Sequence, residues 1–162
     1  MRIGVLTVSD AGSRGERVDA SGQVLADWCR DAGHDLVAKE TVPDQTEMIV
    51  PTLLRWADRG EVDLIVTTGG TGFGPRDVTP EATRAVLDRN SPGLPETIRR
   101  RGTEKTPYAP LSRGLAGSRG SVFIVNLPGS PGGVKDGLVI LGPLAEHVVG
   151  LLRARETPHR QS

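Results

Sequence analysis

The 162 residues predict an α/β protein, a mainly parallel sheet with helices on both faces. Runs rich in β-branched residues alternate with stretches of helical apolar spacing along the whole chain. Two of these runs, 63–68 (DLIVTT) and 121–127 (SVFIVNL), are continuously apolar, as strands buried on both faces are. The third observation is glycine: 21 residues, clustered at 69–74, 114–120 and 129–142, with no three-residue period. Two of the clusters directly follow the apolar runs, which marks turns where backbone can come close to a ligand.

Residues 2–9 (RIGVLTVS) are short and β-branched, a first strand. The polar stretch 10–20 (DAGSRGERVDA) reads as a loop. Val24, Leu25, Trp28 and Cys29 stand at helical spacing within 22–32, and Gly33 is the stop. Residues 34–42 form a second strand, ended by Pro43. Thr46 is the expected N-cap of a helix that carries Ile49, Leu53, Leu54 and Ala57 on one face, with Gly60 as its end. Beyond strand 63–68 and its glycine-rich turn, Thr79 is the expected N-cap and Pro80 the first residue of a helix reaching about Asn90. Residues 91–120 read as one short helix near 95–101 within an ordered loop. Strand 121–127 leads through the turn 128–133 into helical patterns over 134–155, and 157–162 read as a frayed end. We expect one domain over 1–155 and a tail at 156–162.

Lys plus Arg and Asp plus Glu balance at 20 each, and a net charge of zero argues against wholesale binding to nucleic acid or an anionic membrane. Cys29 is the lone cysteine, which excludes an intrachain disulfide and a thiolate zinc site; His34, His147 and His159 show no ligand spacing. No window reaches the ~18 apolar residues of a membrane span, since 138–152 is interrupted by Glu146 and His147. With no apolar leader and cleavage site at the start, a soluble, cytoplasmic protein is expected.

A parallel sheet receives ligands beyond the carboxyl ends of its strands, where Ser9 and Asp10, 69–77 and 126–133 all fall. In 69–83 (GGTGFGPRDVTPEAT) the glycines let N–H groups approach an anion or a flat ring, and Thr71 adds a hydroxyl. It is no P-loop, because the Lys-Ser/Thr ending is absent. Asp77 either assists the helix start at Thr79 or faces the ligand. The turn 126–133 (NLPGSPGG) is either a second set of N–H donors at a helix start or an ordinary β–α loop. Asp44 either caps the helix at Thr46 or shares Mg²⁺ with Asp77, since that ion takes one or two carboxylates plus substrate phosphates. Arg113 reads as a bidentate phosphate clamp or as a solvated side chain. The run Arg99, Arg100, Arg101 reads as a solvated helix face, Cys29 as core, and Trp28 and Trp56 as core or interface packing. Leu138, Val139, Ile140, Leu141, Leu144, Val148, Val149, Leu151 and Leu152 cover more than one helix face, so part of that helix should meet another surface.

Five segments in this order resemble the molybdopterin adenylyltransferase family: TVSD at 7–10, DASG at 19–22, GGTGFGPRDVTPEAT at 69–83, LSR at 111–113 and NLPGSP at 126–131. The resemblance runs from residue 1 to about 152. It implies a three-layer α/β/α molybdopterin-binding fold. It also implies transfer of AMP from ATP to the terminal phosphate of molybdopterin, with Mg²⁺ required and pyrophosphate released. By motif, Asp77 and Asp44 match the family's essential acidic pair, as catalytic and metal-holding residues. Ser112 matches a pterin-side position. Thr7, Ser9, Asp10, Gly69, Gly70, Thr71, Gly72, Glu81, Arg113, Asn126, Pro128, Gly129, Ser130 and Pro131 match substrate-lining positions. Gln45 stands where many relatives carry a second acid, and nothing carries over to the variable stretch 13–17. The resemblance further implies a cyclic homotrimer and a molybdenum insertion enzyme as downstream partner. A sister group of the same fold binds molybdopterin without turnover and tends toward hexamers; the presence of both Asp44 and Asp77 favours the enzyme.

Overall fold

A computed structural model describes residues 1–154. The expected tail at 156–162, with His159, lies outside the described residues. The elements in chain order are β1 (Arg2–Val8), α1 (Asp10–Ser13), α2 (Ala20–Asp31), β2 (Asp35–Val42), α3 (Thr46–Asp58), β3 (Leu64–Thr68), α4 (Thr79–Val86), β4 (Arg89–Asn90), α5 (Gly93–Gly102), a 3₁₀ turn (Ala109–Leu111), β5 (Ala116–Arg119), β6 (Val122–Leu127) and α6 (Pro131–Arg153). Six strands form one sheet in the order β2-β1-β3-β6-β5-β4. The first four run parallel, and β5 and β4 are added antiparallel at the edge.

Side chains alternate across the central strands, as the two-residue period of a strand requires. Ile3 and Val5, Leu64 and Val66, and Phe123, Val125 and Leu127 face a cluster with Leu25 and Cys29 of α2, Ile98 of α5 and the inner face of α6. Leu6 and Val8, Ile65, and Val122 and Ile124 face the opposite cluster, with Ile49, Leu53 and Trp56 of α3 and Ala82 and Val86 of α4. The result is the expected three layers. Burial pushes the Cys29 thiol up to about 11, as befits a core cysteine. Trp56 is buried; Trp28 is half-buried against the first cluster, with His34 edge-on to its ring.

Several local expectations are corrected. Residues 10–13, expected as loop, form a helical turn, because the Ser9 hydroxyl accepts the Gly12 N–H and caps it. Neither Thr46 nor Thr79 is a cap: Gln45 and Val78 occupy those positions without a side-chain bond, and Thr79 spends its hydroxyl on the Gly69 carbonyl. α4 ends at Val86, where Leu87 turns extended, and the residues expected to continue it pair as β4. β5 lies inside the stretch expected as loop; AGSR has no strand propensity, and ladder bonds to β6 hold it. α6 begins at Pro131 and carries Pro143 within it. On α6, Leu138, Leu141, Val149 and Leu152 are buried, whereas Val139, Leu144 and Leu151 are exposed. Among the described residues no helix is long and apolar enough to cross a membrane.

The amino end of the sheet is fastened by one buried acid. Asp63, 2% exposed, precedes β3. It accepts from the Arg2 amide at 2.7 Å and from Arg2 Nη2 at 2.7 Å, and it pairs with Arg153 at the end of α6. Burial alone would raise its carboxyl, but the hydrogen bonds from Arg2 and then Arg153 prevail and hold it at about 2. A depressed carboxyl contributes stability that is complete above its unfolded value near 4 and is lost as pH falls toward 2. We predict that Asp63→Asn costs about 2 kcal/mol at neutral pH, with salt screening at the half-exposed arginines lowering that figure. The variant should also lose the share of the pH dependence between about 4 and 2 that Asp63 supplies, so its stability falls less steeply with acid than the wild type's, which urea denaturation at a series of pH values will show.

Candidate active site

β3 ends in the buried Thr68, and the chain then turns through two left-handed residues, Gly69 (φ 97°) and Gly70 (φ 66°). A Cβ on Gly69 would stand 2.3 Å from the Val8 carbonyl oxygen, and one on Gly70 would stand 2.4 Å from Thr79 Oγ1. Only glycine fits both the conformation and the space. Thr79 closes the turn: its hydroxyl donates to Gly69 O at 2.8 Å and its amide to Gly70 O at 3.1 Å. Thr68 Oγ1 donates to Pro128 O at 2.7 Å and the Gly69 amide to Leu127 O at 3.3 Å, so the turns after β3 and β6 are fastened together. A cavity opens on each side of this double turn.

The first cavity, about 260 Å³, is lined by Thr7, Ser9, Asp19, Asp44, Gly69, Gly70, Asp77, Gly129 and Pro131, among others. Asp10 and Asp44 hold each other: the Asp10 amide donates to Asp44 Oδ2 at 2.8 Å and the Asp44 amide to Asp10 Oδ1 at 3.0 Å. Hydrogen bonds from Arg76 hold the Asp10 carboxyl below its usual range. Burial, followed by the charges of Asp10 and Asp77, pushes the Asp44 carboxyl up despite the Asp10 amide. Asp77 Oδ2 accepts the Gly74 amide at 2.8 Å. Asp19 caps α2 through Gly22 and takes the Thr7 hydroxyl at 2.8 Å and Lys39 at 3.1 Å, which fixes the far wall. Two carboxylates facing one cavity suit a partly hydrated divalent cation whose remaining ligands are phosphate oxygens. Among the described residues no three His, Cys, Asp or Glu side chains form an all-protein metal cage.

The second cavity, about 430 Å³, has Thr71, Gly72, Pro128 and Ser130 on the side of the double turn. Ile98, Tyr108, Ala109, Leu111 and Ser112 stand opposite, and Lys105 and Asp136 share its wall. Arg99 holds the Ser112 segment in place, donating to Ser112 O at 3.2 Å and Gly114 O at 3.1 Å. This slot is more apolar than the first and suits a flat ring.

Three expected site residues are engaged by the protein itself. Arg113 donates from Nε to Gly72 O at 2.7 Å and from Nη2 to Asp77 O at 2.8 Å, pairs with Glu81, and lies over the Phe73 ring. Its half-buried guanidinium buckles the 72–77 loop to α4, with the exposed Glu81 as its carboxylate partner. Asn126 is 4% exposed. It accepts the Leu115 amide and donates to Thr67 and Thr83, which puts it beneath the site as a brace. Asp44 and Asp77 cap no helix. In the arginine run only Arg100 is exposed; Arg99 turns inward and Arg101 Nε is buried without a partner. Residue reading missed Asp19, although its DASG segment was visible, and it missed Arg76, Lys105 and Asp136.

We predict that Arg113→Ala leaves the protein folded but speeds amide exchange in 72–77, because the loop loses two anchors, at Gly72 O and Asp77 O, together with the pair to Glu81 of α4. Arg113→Lys should restore little, since one ammonium cannot reach two carbonyls and a carboxylate in fixed fork geometry. Hydrogen exchange resolved by mass spectrometry checks both.

Residues 4–147 match the protein family described as "Probable molybdopterin binding domain". The chain is 43% identical to the molybdenum cofactor synthesis protein cinnamon of Drosophila melanogaster over 93% of its own length, and it spans about a quarter (25%) of that longer protein. It is 36% identical to a molybdopterin adenylyltransferase of Helicobacter pylori, covering 94% of this chain and 88% of the relative. The solved structure of the molybdopterin biosynthesis enzyme MoaB from Thermus thermophilus superposes with a TM-score of 0.88 at 49% identity, over 94% of this chain and 96% of that one.

Proposed function

Because the chain belongs to the molybdopterin-binding domain family, we propose that it makes adenylyl-molybdopterin, transferring AMP from ATP to molybdopterin with release of pyrophosphate. The observation that carries this reading is the pair of cavities that meet the 69–72 and 128–131 turns, one walled by Asp19, Asp44 and Asp77 and the other more apolar. An oxygen of the terminal molybdopterin phosphate attacks the α-phosphorus of ATP, and the bond from that phosphorus to the bridging oxygen breaks as pyrophosphate leaves. Such transfers depend on positioning and charge neutralisation. The nucleotide phosphates sit in the first cavity and the pterin in the second, beside Ser112. The Gly69 amide is spent on Leu127, so the backbone donor this turn offers to the phosphates in the first cavity is Gly70. Asp44 and Asp77 would hold Mg²⁺, which when bound neutralises phosphate charge. Arg113 and Arg76 keep the carboxylate-bearing loops in register and touch no substrate.

Residues 1–155 act as one domain in the cytoplasm and pass the product to a molybdenum insertion enzyme. The exposed apolar residues of α6, Leu144 and Leu151 beside the half-buried Ile140 and Val148, form a heterologous contact that closes a homotrimer. Light scattering should give three subunits; a mass near one subunit contradicts the contact, and a mass near six points to the sister group.

Incubation with molybdopterin, ATP and Mg²⁺ should yield adenylyl-molybdopterin and pyrophosphate. Retention of molybdopterin with no pyrophosphate would instead support binding without turnover. Asp77→Ala should lower turnover by at least ~100-fold with the fold intact, since no core atom is lost, and Asp44→Ala should do less. If the two carboxylates share an ion, the double variant falls short of the summed losses; simple additivity contradicts that sharing.

A further inference from the structure

Asp136 has no part in the reaction as described. It lies on the second turn of α6, is 8% exposed, and shares the wall of the more apolar second cavity. Its one side-chain partner among the described residues is Lys105, whose own side chain is 64% exposed. An ion pair with so exposed a lysine contributes about 0–1 kcal/mol. Burying a carboxylate costs several kcal/mol unless it is fully answered. The acid therefore stands where stability alone favours an apolar residue, among Val134, Gly137 and Leu138, which are all buried.

We propose that Asp136 is the residue that recognises the pyrimidine edge of the pterin. The inference rests on the reading of this protein as one that binds molybdopterin. A 2-amino-4-oxopteridine presents two parallel donors, the 2-amino group and N3–H, spaced to meet both oxygens of one carboxylate, as a guanidinium does. The O4 carbonyl beside N3 is an acceptor. Lys105 occupies Asp136 in the unliganded protein, and the entering ring displaces it toward O4. Both charges of the pair are then answered by the ligand, while the ring lies against Ile98, Tyr108 and Leu111. Thr71, Thr106, Ser112 and Ser130 bring hydroxyls to the same cavity.

The test is a comparison of two fluorescent probes, 6-(hydroxymethyl)pterin and 6-(hydroxymethyl)lumazine, titrated into the whole protein. The lumazine carries a carbonyl in place of the 2-amino group, so its lone pairs face the carboxylate and one donor is gone. The wild type should bind the pterin ~10-fold or more tightly than the lumazine, since a site built around a donor rejects the analogue that lacks it. Asp136→Asn offers one acceptor and one donor, which match N3–H and the 2-carbonyl of the lumazine, so its preference should level or reverse. Lys105→Ala keeps the carboxylate and should keep the preference for pterin. Thermal melts confirm that both variants are folded. A general loss of packing weakens both probes alike and does not invert a preference. Wild-type protein that binds pterin without preferring it, an Asp136→Asn variant that retains the wild-type preference, or equal loss of preference in both variants overturns the role of Asp136 and leaves the molybdopterin reading standing. Wild-type protein that binds neither probe overturns both.

Discussion

Everything at the working end of this protein depends on how the chain leaves β3. The strand is buried on both faces and ends against the β1 and β6 carboxyl ends, so no side chain can be accommodated in the first residues beyond it. Two consecutive left-handed glycines answer that constraint. Gly69 passes under the Val8 carbonyl, and Gly70 passes between Thr79 and Asp44, whose Oδ1 would stand 3.0 Å from a Cβ there. Gly69 and Gly70 line the first cavity, and the next two residues, Thr71 and Gly72, line the second. Because Thr79 hangs from Gly69 and Arg113 hangs from Gly72 and Asp77, a displaced turn would carry with it α4, the Asp77 loop and the Ser112 segment. Substrate sites on opposite sides of one turn share a single rigid reference, which suits a reaction limited by alignment.

The electrostatics follow the same economy. A chain of zero net charge can still bind anionic ligands, because its donors are backbone amides and its carboxylates call for a cation. Three guanidinium groups beside the site are bound to the protein itself: Arg76 to Asp10, Arg113 to Glu81 and two carbonyls, Arg99 to the Ser112 segment. Their work is to fix loops. Asp44 and Asp77 stand on the cavity wall without such a guanidinium partner, and burial and neighbouring acids drive Asp44 upward. Crowded acids at one cavity mark a functional place rather than a stabilising one.

The three-layer architecture was legible in the residues because its signals are long: continuous apolar runs for β3 and β6, helical spacing in α2 and α3, glycines beyond the strands. β4 and β5 were not, because residues such as Arg89, Asn90 and Gly117 have no strand preference and are held by pairing with a strand already in place. The convergence of Asp44 and Asp77 was legible from their places just past strand ends. The parts played by Arg113 and Asn126 were not, since a motif records that a residue is needed at a position without saying whether it touches ligand or loop. Asn126 meets Thr67 and Thr83, and Arg113 meets Gly72, Asp77 and Glu81, contacts that span 32 to 59 residues of chain. Asp136 left no local mark at all: one acid in a helix reads as a solvated position until the packing shows what surrounds it.

The central claim is that one bound molecule spans the double turn. A crystal structure of the protein with adenylyl-molybdopterin bound tests this most directly. The account predicts adenylyl phosphate density beside Asp44 and Asp77, a linkage crossing the turn at 69–72, and the pteridine ring between Pro128 and Tyr108. A ligand lodged wholly on one side of the turn, or bound away from the carboxyl ends of β1, β3 and β6, would contradict it.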